Sequence, residues 1–166
     1  YSYVELDDGT IEITGYTGKR KYITIPDFID DKVVSSIGVG AFKDETDLRE
    51  VTLPMQLVTI KDRAFYGCSN LTSIVIPDTV VTIEDEAFYE NIRLSSVMFG
   101  ENSALTKIGS SAFNGCSKLK TFTIGKNVSS LSESAFLKAT SILSFEVDSD
   151  NAYYSSNNGL LFDKNE

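Results

Sequence analysis

Residues 64–88 read AFYGCSNLTSIVIPDTVVTIEDEAF, and the stretch before them, 41–63, reads AFKDETDLREVTLPMQLVTIKDR. Laid one over the other they agree column by column. Each opens on Ala-Phe, places Leu six residues after the Phe and a branched apolar residue nine and eleven after it, and then a Pro. The agreement runs along most of the chain. Ala-Phe pairs stand at 41–42, 64–65, 87–88, 112–113 and 135–136, spaced 23, 23, 25 and 23 residues apart. Leu48, Leu71, Leu94, Leu119 and Ile142 fill the sixth position after the Phe. Val51, Ile74, Val97, Phe122 and Phe145 fill the ninth, and Leu53, Ile76, Phe99, Ile124 and Val147 the eleventh. Five residues before each Phe stand Ile37, Ile60, Ile83, Ile108 and Leu131. A fixed period of this length marks a chain of stacked units, none of which buries its apolar face alone.

The Leu-x-x-Ile-x-Ile segment ends in an in-out-in alternation, the pattern of a short strand with one buried face. Pro54, Pro77, Gly100 and Gly125 follow and end it. The two extra residues of the 25-residue unit fall around Gly100–Ala104, where a surface loop tolerates length. The second half of each unit, Val58–Phe65 or Val81–Phe88, starts as a short β-branched run and is predicted to end in a turn of helix. Asp62, Asp85 and Ser110, three before the Phe, are placed as N-caps; Gly67 and Gly115, two after it, as left-handed C-terminal residues. The expected fold class is an α/β repeat solenoid of leucine-rich-repeat type. Short parallel strands stack into a sheet, with short helical or β segments on the other side, in five turns or nearly so with hairpin-like ends. A hexapeptide helix, helical repeats or propeller blades would show a different period.

The whole chain, 1–166, reads as a single solenoid. Residues 1–40 form an N-terminal cap and a degenerate first repeat, 41–147 the repeats of 23–25 residues, and 148–166 a C-terminal hairpin or the start of a further repeat. The cap is expected as a hairpin turning through Asp7-Asp8-Gly9, followed by the degenerate strand Tyr22-Ile23-Thr24-Ile25-Pro26 with extra residues around Asp27–Asp31. The second hairpin is expected to turn at Asn157-Asn158-Gly159.

Composition narrows the function. The chain has 15 Lys and Arg against 24 Asp and Glu, a net charge of −9 and a pI near 4.5, which is not the footprint of a nucleic-acid binder. The charge is spread evenly, with 13 acidic and 8 basic residues in 1–83 and 11 and 7 in 84–166. There is no His, so no Ser-His-Asp triad, Cys-His dyad, HExxH helix or His proton shuttle can be built from this chain. No long apolar run is present for membrane insertion in this segment. The N-terminus YSYVELDDGT lacks a Met and a signal-peptide pattern and reads as a processed or trimmed piece.

Candidate chemistry is sparse. Cys68 and Cys116 share a column two units apart; with neighbours ~4.8 Å apart their Cα atoms lie about 10 Å apart, beyond the ~7 Å reach of a disulfide. They are expected free and buried in the turn. Asp148-Ser149-Asp150-Asn151 hints at calcium but lacks the Gly and final Glu of an EF-hand loop; it is read, like Asp27–Asp31 and Asp44-Glu45-Asp47, as loop surface. Asn70-Leu-Thr72 and Asn127-Val-Ser129 are sequons by pattern. No cofactor and no metal is expected, and no enzyme activity. The solvent-facing strand columns remain as the candidate ligand face: Tyr22 and Thr24, then Glu50 and Thr52, Ser73 and Val75, Ser96 and Met98, Thr121 and Thr123, Ser144 and Glu146.

Leu-x-x-Ile-x-Ile-Pro, then Val-x-x-Ile, then Ala-Phe-x-Gly-Cys-x-x-Leu closely resembles the BspA-like leucine-rich repeats of bacterial cell-surface proteins, and residues 7–18 (DDGTIEITGYTG) resemble the lead-in of such arrays. The resemblance covers about residues 7–162. It departs from the classical horseshoe at the polar position three after the strand, which holds Gln56, Thr79, Asn102 and Asn127. The resemblance implies a bacterial surface or secreted location and a non-catalytic module that binds an extracellular protein or glycan, with host adhesion as its expected use, expected here as a monomer. In the alternative reading the array is a targeting or spacer segment of a larger surface enzyme. In a third it is a stalk holding an adhesive tip away from the cell.

Overall fold

The computed structural model describes residues 1–164. The path begins with an antiparallel hairpin, β1 (Ser2–Glu5) and β2 (Ile11–Gly15). Next come β3 (Tyr22–Thr24), β4 (Phe28–Ile29) and β5 (Lys32–Ile37). From there each coil contributes a front strand and a two-residue strand on its second side. These are β6 (Glu50–Thr52) and β7 (Thr59–Ile60), β8 (Ser73–Ile76) and β9 (Thr82–Ile83), β10 (Ser96–Phe99) and β11 (Lys107–Ile108), and β12 (Thr121–Ile124) and β13 (Ser130–Leu131). The path ends with β14 (Ser144–Val147) and the antiparallel hairpin β15 (Tyr154–Asn157) and β16 (Leu160–Asp163). Homologous residues of successive coils are hydrogen-bonded neighbours. Ser96 pairs with Ser73 and Val97 with Ile74, and Ile60 pairs with Ile37 on one side and Ile83 on the other.

Two expectations are corrected. The turns number about six and not five, because the degenerate first strand Tyr22–Thr24 pairs in register with Glu50–Thr52 at all three positions and so completes a coil. The fold is therefore a β-solenoid of about six turns. There is also no helix among the described residues, so the α/β description fails, and the second side of each coil is β. The reason lies in the fate of the backbone N–H groups. The Phe N–H, which a helix would direct back along its own chain, donates to the next coil: Phe42 to Ala64, Phe65 to Ala87, Phe88 to Ala112 and Phe113 to Ala135, each at 2.8 Å. Residues on either side make turns reaching three residues back, as in Ala64 N–H to Lys61 and Tyr66 N–H to Arg63. Left-handed residues two before the Phe (Gly40, Arg63, Glu86, Ser111) and two after it (Asp44, Gly67, Glu90, Gly115, Lys138) break any right-handed run.

The placement of Gly67 and Gly115 as left-handed therefore holds, while the N-caps do not. Asp85 Oδ1 accepts from the Ser110 N–H of the neighbouring coil at 2.8 Å, and the Asp62 N–H donates to Glu84 Oε2. The polar groups of this column join coils to each other and cap no helix.

The interior is one continuous cluster in which Phe42, Phe65, Phe88 and Phe113 are wholly buried. Their rings form a file with Phe136, at centroid spacings of 4.9, 5.3, 5.3 and 5.6 Å and interplanar angles of 11° or less. Tyr16 of the amino-terminal segment continues the file onto Phe42 at 5.6 Å, and so covers the first layer. Beside the file, the residue three after Phe65, Phe88 and Phe113 caps the carbonyl of the preceding Phe. Cys68 Sγ donates to Phe42 O, Asn91 Nδ2 to Phe65 O and Cys116 Sγ to Phe88 O.

The ends are hairpins, as expected. β2 adds in parallel to β5, and Glu12 of β2 holds Lys61 and Ser36. The residues around Asp27–Asp31 form a further hairpin, β4 with β5, whose Asp30 and Asp31 are both left-handed, as a tight two-residue turn needs. At the other end Asn158 and Gly159 make the same kind of turn. Residues 165 and 166 of the predicted last segment lie outside the described ones.

Candidate functional site

The front face is built by strand alternation. Val51, Ile74, Val97 and Phe122 point inward and are buried, so the residues flanking them point out. Of the predicted face, Tyr22, Thr24, Glu50, Thr52, Val75, Met98, Thr121, Thr123 and Glu146 are exposed, while Ser73, Ser96 and Ser144 are half-buried. Tyr22, Thr24, Glu50, Thr52, Ser73, Val75, Ser96 and Met98 share one sheet, β10-β8-β6-β3. Thr121, Thr123, Ser144 and Glu146 share a second, β12-β14. The front ladder is interrupted between β10 and β12, whereas the strands on the second side run on unbroken from β5 to β13. At the interruption the strand core changes from Val and Ile to Phe. Phe99 meets Phe122 edge-on at 5.5 Å, and Phe122 meets Phe136 at 4.7 Å.

A second irregularity produces a cleft. β3 and β6 pair at three positions and β8 and β10 at four, but β6 and β8 pair only at Glu50 with Ser73 and Val51 with Ile74. The Thr52 carbonyl accepts the Ile25 N–H at 3.0 Å, as the β3–β6 ladder requires, but the Thr52–Val75 rung that would continue β6 along β8 is not made. A cleft of about 430 Å³ opens between the strand ends, lined by Val75 and Met98 of the predicted face and by Met55, Pro77 and Asp78 of the following turns. The sequence reading missed those last three. They lie just past the strands, outside the alternating columns, and the only signal for them is the large apolar Met55 in a turn column that holds Asp27 and Asp78 in the adjacent coils.

The remaining candidates resolve into structural roles. Both cysteines are free and buried, and burial pushes each thiol up to about 12, far from a reactive thiolate. Asp148 Oδ1 accepts the Asp150 N–H, and Asn151 is a buried staple. Its Nδ2 donates to Gly125 O and Val128 O, and its Oδ1 accepts from Tyr153 and Tyr154. Asp27 Oδ1 accepts the Met55 N–H at 2.6 Å, and Asp30 accepts the Tyr3 hydroxyl. Burial, with Asp47 nearby, raises the Glu45 carboxyl. Both sequon asparagines donate across coils, Asn70 to Thr46 O and Asn127 to Ser103 O. Among the described residues no group of three or more His, Cys, Asp or Glu side chains is gathered as metal ligands, and no helix is long and apolar enough to cross a membrane.

Solved bacterial proteins share this geometry. The T. pallidum leucine rich repeat protein TpLRR is 29% identical with a TM-score of 0.84, over 87% of this chain and 67% of its own. The pneumococcal vaccine antigen PcpA is 25% identical with a TM-score of 0.80, over 98% of this chain and 42% of its own. A leucine rich cell surface protein from Faecalibacterium prausnitzii, 21% identical with a TM-score of 0.59, covers 98% and 56% and shares the fold. The chain thus spans about two thirds of the first relative and about half or less of the others. No curated protein matches. The BspA type leucine rich repeat region matches residues 21–158 in six copies, the number of front strands in the solenoid, and the chain belongs to that family.

Proposed function

We propose that this chain is a non-catalytic binding module of a bacterial surface or secreted protein, and that its front sheet is the contact face for an extracellular protein. The observation that carries the reading is the wall itself. Rungs such as Tyr22 with Glu50, Thr24 with Thr52 and Val75 with Met98 stand in register, outward and accessible on a rigid stack. A preordered surface of this kind costs little conformational entropy on binding. Likeness to an antigen of pneumococcus and to a cell surface protein supports the location. The single-solenoid division, with residues 1–40 as cap and 41–147 as the main array, belongs to the same proposal. So does the monomeric state, which the net charge of −9 favours by self-repulsion.

The test immobilises the chain against an array of purified extracellular proteins and repeats the capture with Ser96→Arg and Thr121→Arg. Each places a long cation on the wall without touching the core. The reading expects captured proteins to be lost in both variants while thermal unfolding is unchanged. Undiminished capture moves the site to the turns or the end hairpins.

A further inference from the structure

We infer that the cleft between the ends of β6 and β8 is the anchoring point of the front face, and that it takes one bulky apolar side chain from a positively charged segment of a protein partner. The inference rests on the front face being the contact surface and adds where on it the binding energy concentrates and what chemistry is recognised.

The apolar part of the argument is the exposure of side chains that gain nothing from water. Met55 is 74% exposed, Val75 56% and Met98 46%, and all three converge on the cleft. The rest of the wall is mostly Ser, Thr and Glu, with Tyr22 of the first coil as its other large exposed side chain. The floor is core: Val51, Leu53 and Ile74 are buried beneath it. A cleft of about 430 Å³ lies within the range of about 300–1,000 Å³ typical of small ligand sites, ample for a Phe or Leu side chain. Methionine walls adapt to side chains of different shape.

Charge selects the partner. Glu50 and Asp78 stand on the rim, Asp27 lies behind Met55 with its carboxylate on the Met55 amide, and no Lys or Arg lines the cleft. Lys or Arg residues flanking the inserted side chain would meet carboxylates on more than one side, which steers encounter and sets orientation. The same charges disfavour a second copy of this chain, itself at −9, and an anionic lipid surface.

Met55 and Met98 are the only methionines in the chain, so isotope-labelled methionine methyls give two NMR signals, both at the cleft. The probes are three capped pentapeptides: Phe flanked by two Lys on each side, Ala flanked by the same Lys, and Phe flanked by Glu. The Lys-flanked Phe peptide is expected to shift both methyls saturably below ~10 mM, and the other two to bind at least about tenfold more weakly. Glu50→Gln with Asp78→Asn should weaken the first peptide and leave the circular dichroism spectrum intact. Methyls that stay still overturn the inference. So do equal responses to the Phe and Ala peptides, equal responses to Lys and Glu flanks, or shifts that follow protein concentration without peptide. Silent methyls combined with capture lost in Ser96→Arg would sink the cleft and leave the front-face reading standing. Responsive methyls with capture insensitive to Ser96→Arg and Thr121→Arg would do the reverse.

Discussion

Phe88→Ala tests the stacked interior most directly. The ring is wholly buried and lies between Phe65 and Phe113, 5.3 Å from each, with planes 4° and 5° apart. Truncation forfeits roughly 2–3 kcal/mol of transfer free energy. The void, roughly 100 Å³, adds about 2 kcal/mol at ~24 cal/mol per Å³. Collapse cannot remove it, because backbone bonds hold the coil spacing on both sides: Phe65 N–H to Ala87 O and Phe88 N–H to Ala112 O, both 2.8 Å. The expected loss is about 4–5 kcal/mol, at the upper end of the range for Phe→Ala. Thr123→Ala, on the exposed wall, should stay within about 0.5 kcal/mol. Urea unfolding followed by far-ultraviolet circular dichroism measures both, with the m-value checking that unfolding stays cooperative. Equal losses, or a Phe88→Ala loss under about 1.5 kcal/mol, would mean that the rings do not carry the layers, and the stacking argument would fall with them.

Four further outcomes are expected. Native chain should leave Cys68 and Cys116 unlabelled by a thiol reagent at mild alkaline pH and expose two thiols on denaturation; fast native labelling or a disulfide mass contradicts the burial. Because burial raises both thiols to about 12, the unfolded chain loses these protons first. Stability should be full below about pH 8, where unfolded thiols begin to titrate, and should fall as pH rises toward 12, with a shallower fall in the Cys68→Ala, Cys116→Ala double variant. Asn91→Cys should hold or raise stability by about 1 kcal/mol, since a thiol reaches the same Phe carbonyl and removes the buried, unpartnered Asn91 Oδ1; a clear loss in chemical denaturation would show that the amide does more than cap that carbonyl. Gly159→Ala should cost more than about 1 kcal/mol, because φ is +80° and the added Cβ comes within 2.9 Å of Ser144 Cβ; an unchanged melting curve would show that the last hairpin does not brace the final coil.

How much was legible follows from where each feature is encoded. The wall columns were readable because Glu50 and Thr52 flank Val51 at strand spacing, and every later coil repeats the pattern. The helical turn was misread because Ala-Phe after a capping residue looks like a helix start. What forbids it is Phe65 donating to Ala87 in another coil, and left-handed Arg63, Glu86 and Ser111, none of which is a Gly to announce itself. The free thiols followed from spacing alone, but their role as donors to Phe42 and Phe88 carbonyls required the neighbouring layer. Asn151, read as loop surface, proved to be a buried staple for the same reason: Gly125 and Val128, whose carbonyls it holds, belong to the coil before.

By itself the sequence determined the period, the stacking and which columns face in, because a side-chain alternation of two and a repeat of 23 are properties of the chain's own order, reinforced by every copy. Only the tertiary structure decided which backbone groups bond within a coil and which between coils. The last turn of each unit is therefore not helical, and β6 parts from β8. That parting opens the cleft beside Met55: the Thr52–Val75 rung is missing while the Thr24–Thr52 and Val75–Met98 rungs on either side of it are made, a difference between pairs of coils that no single repeat contains.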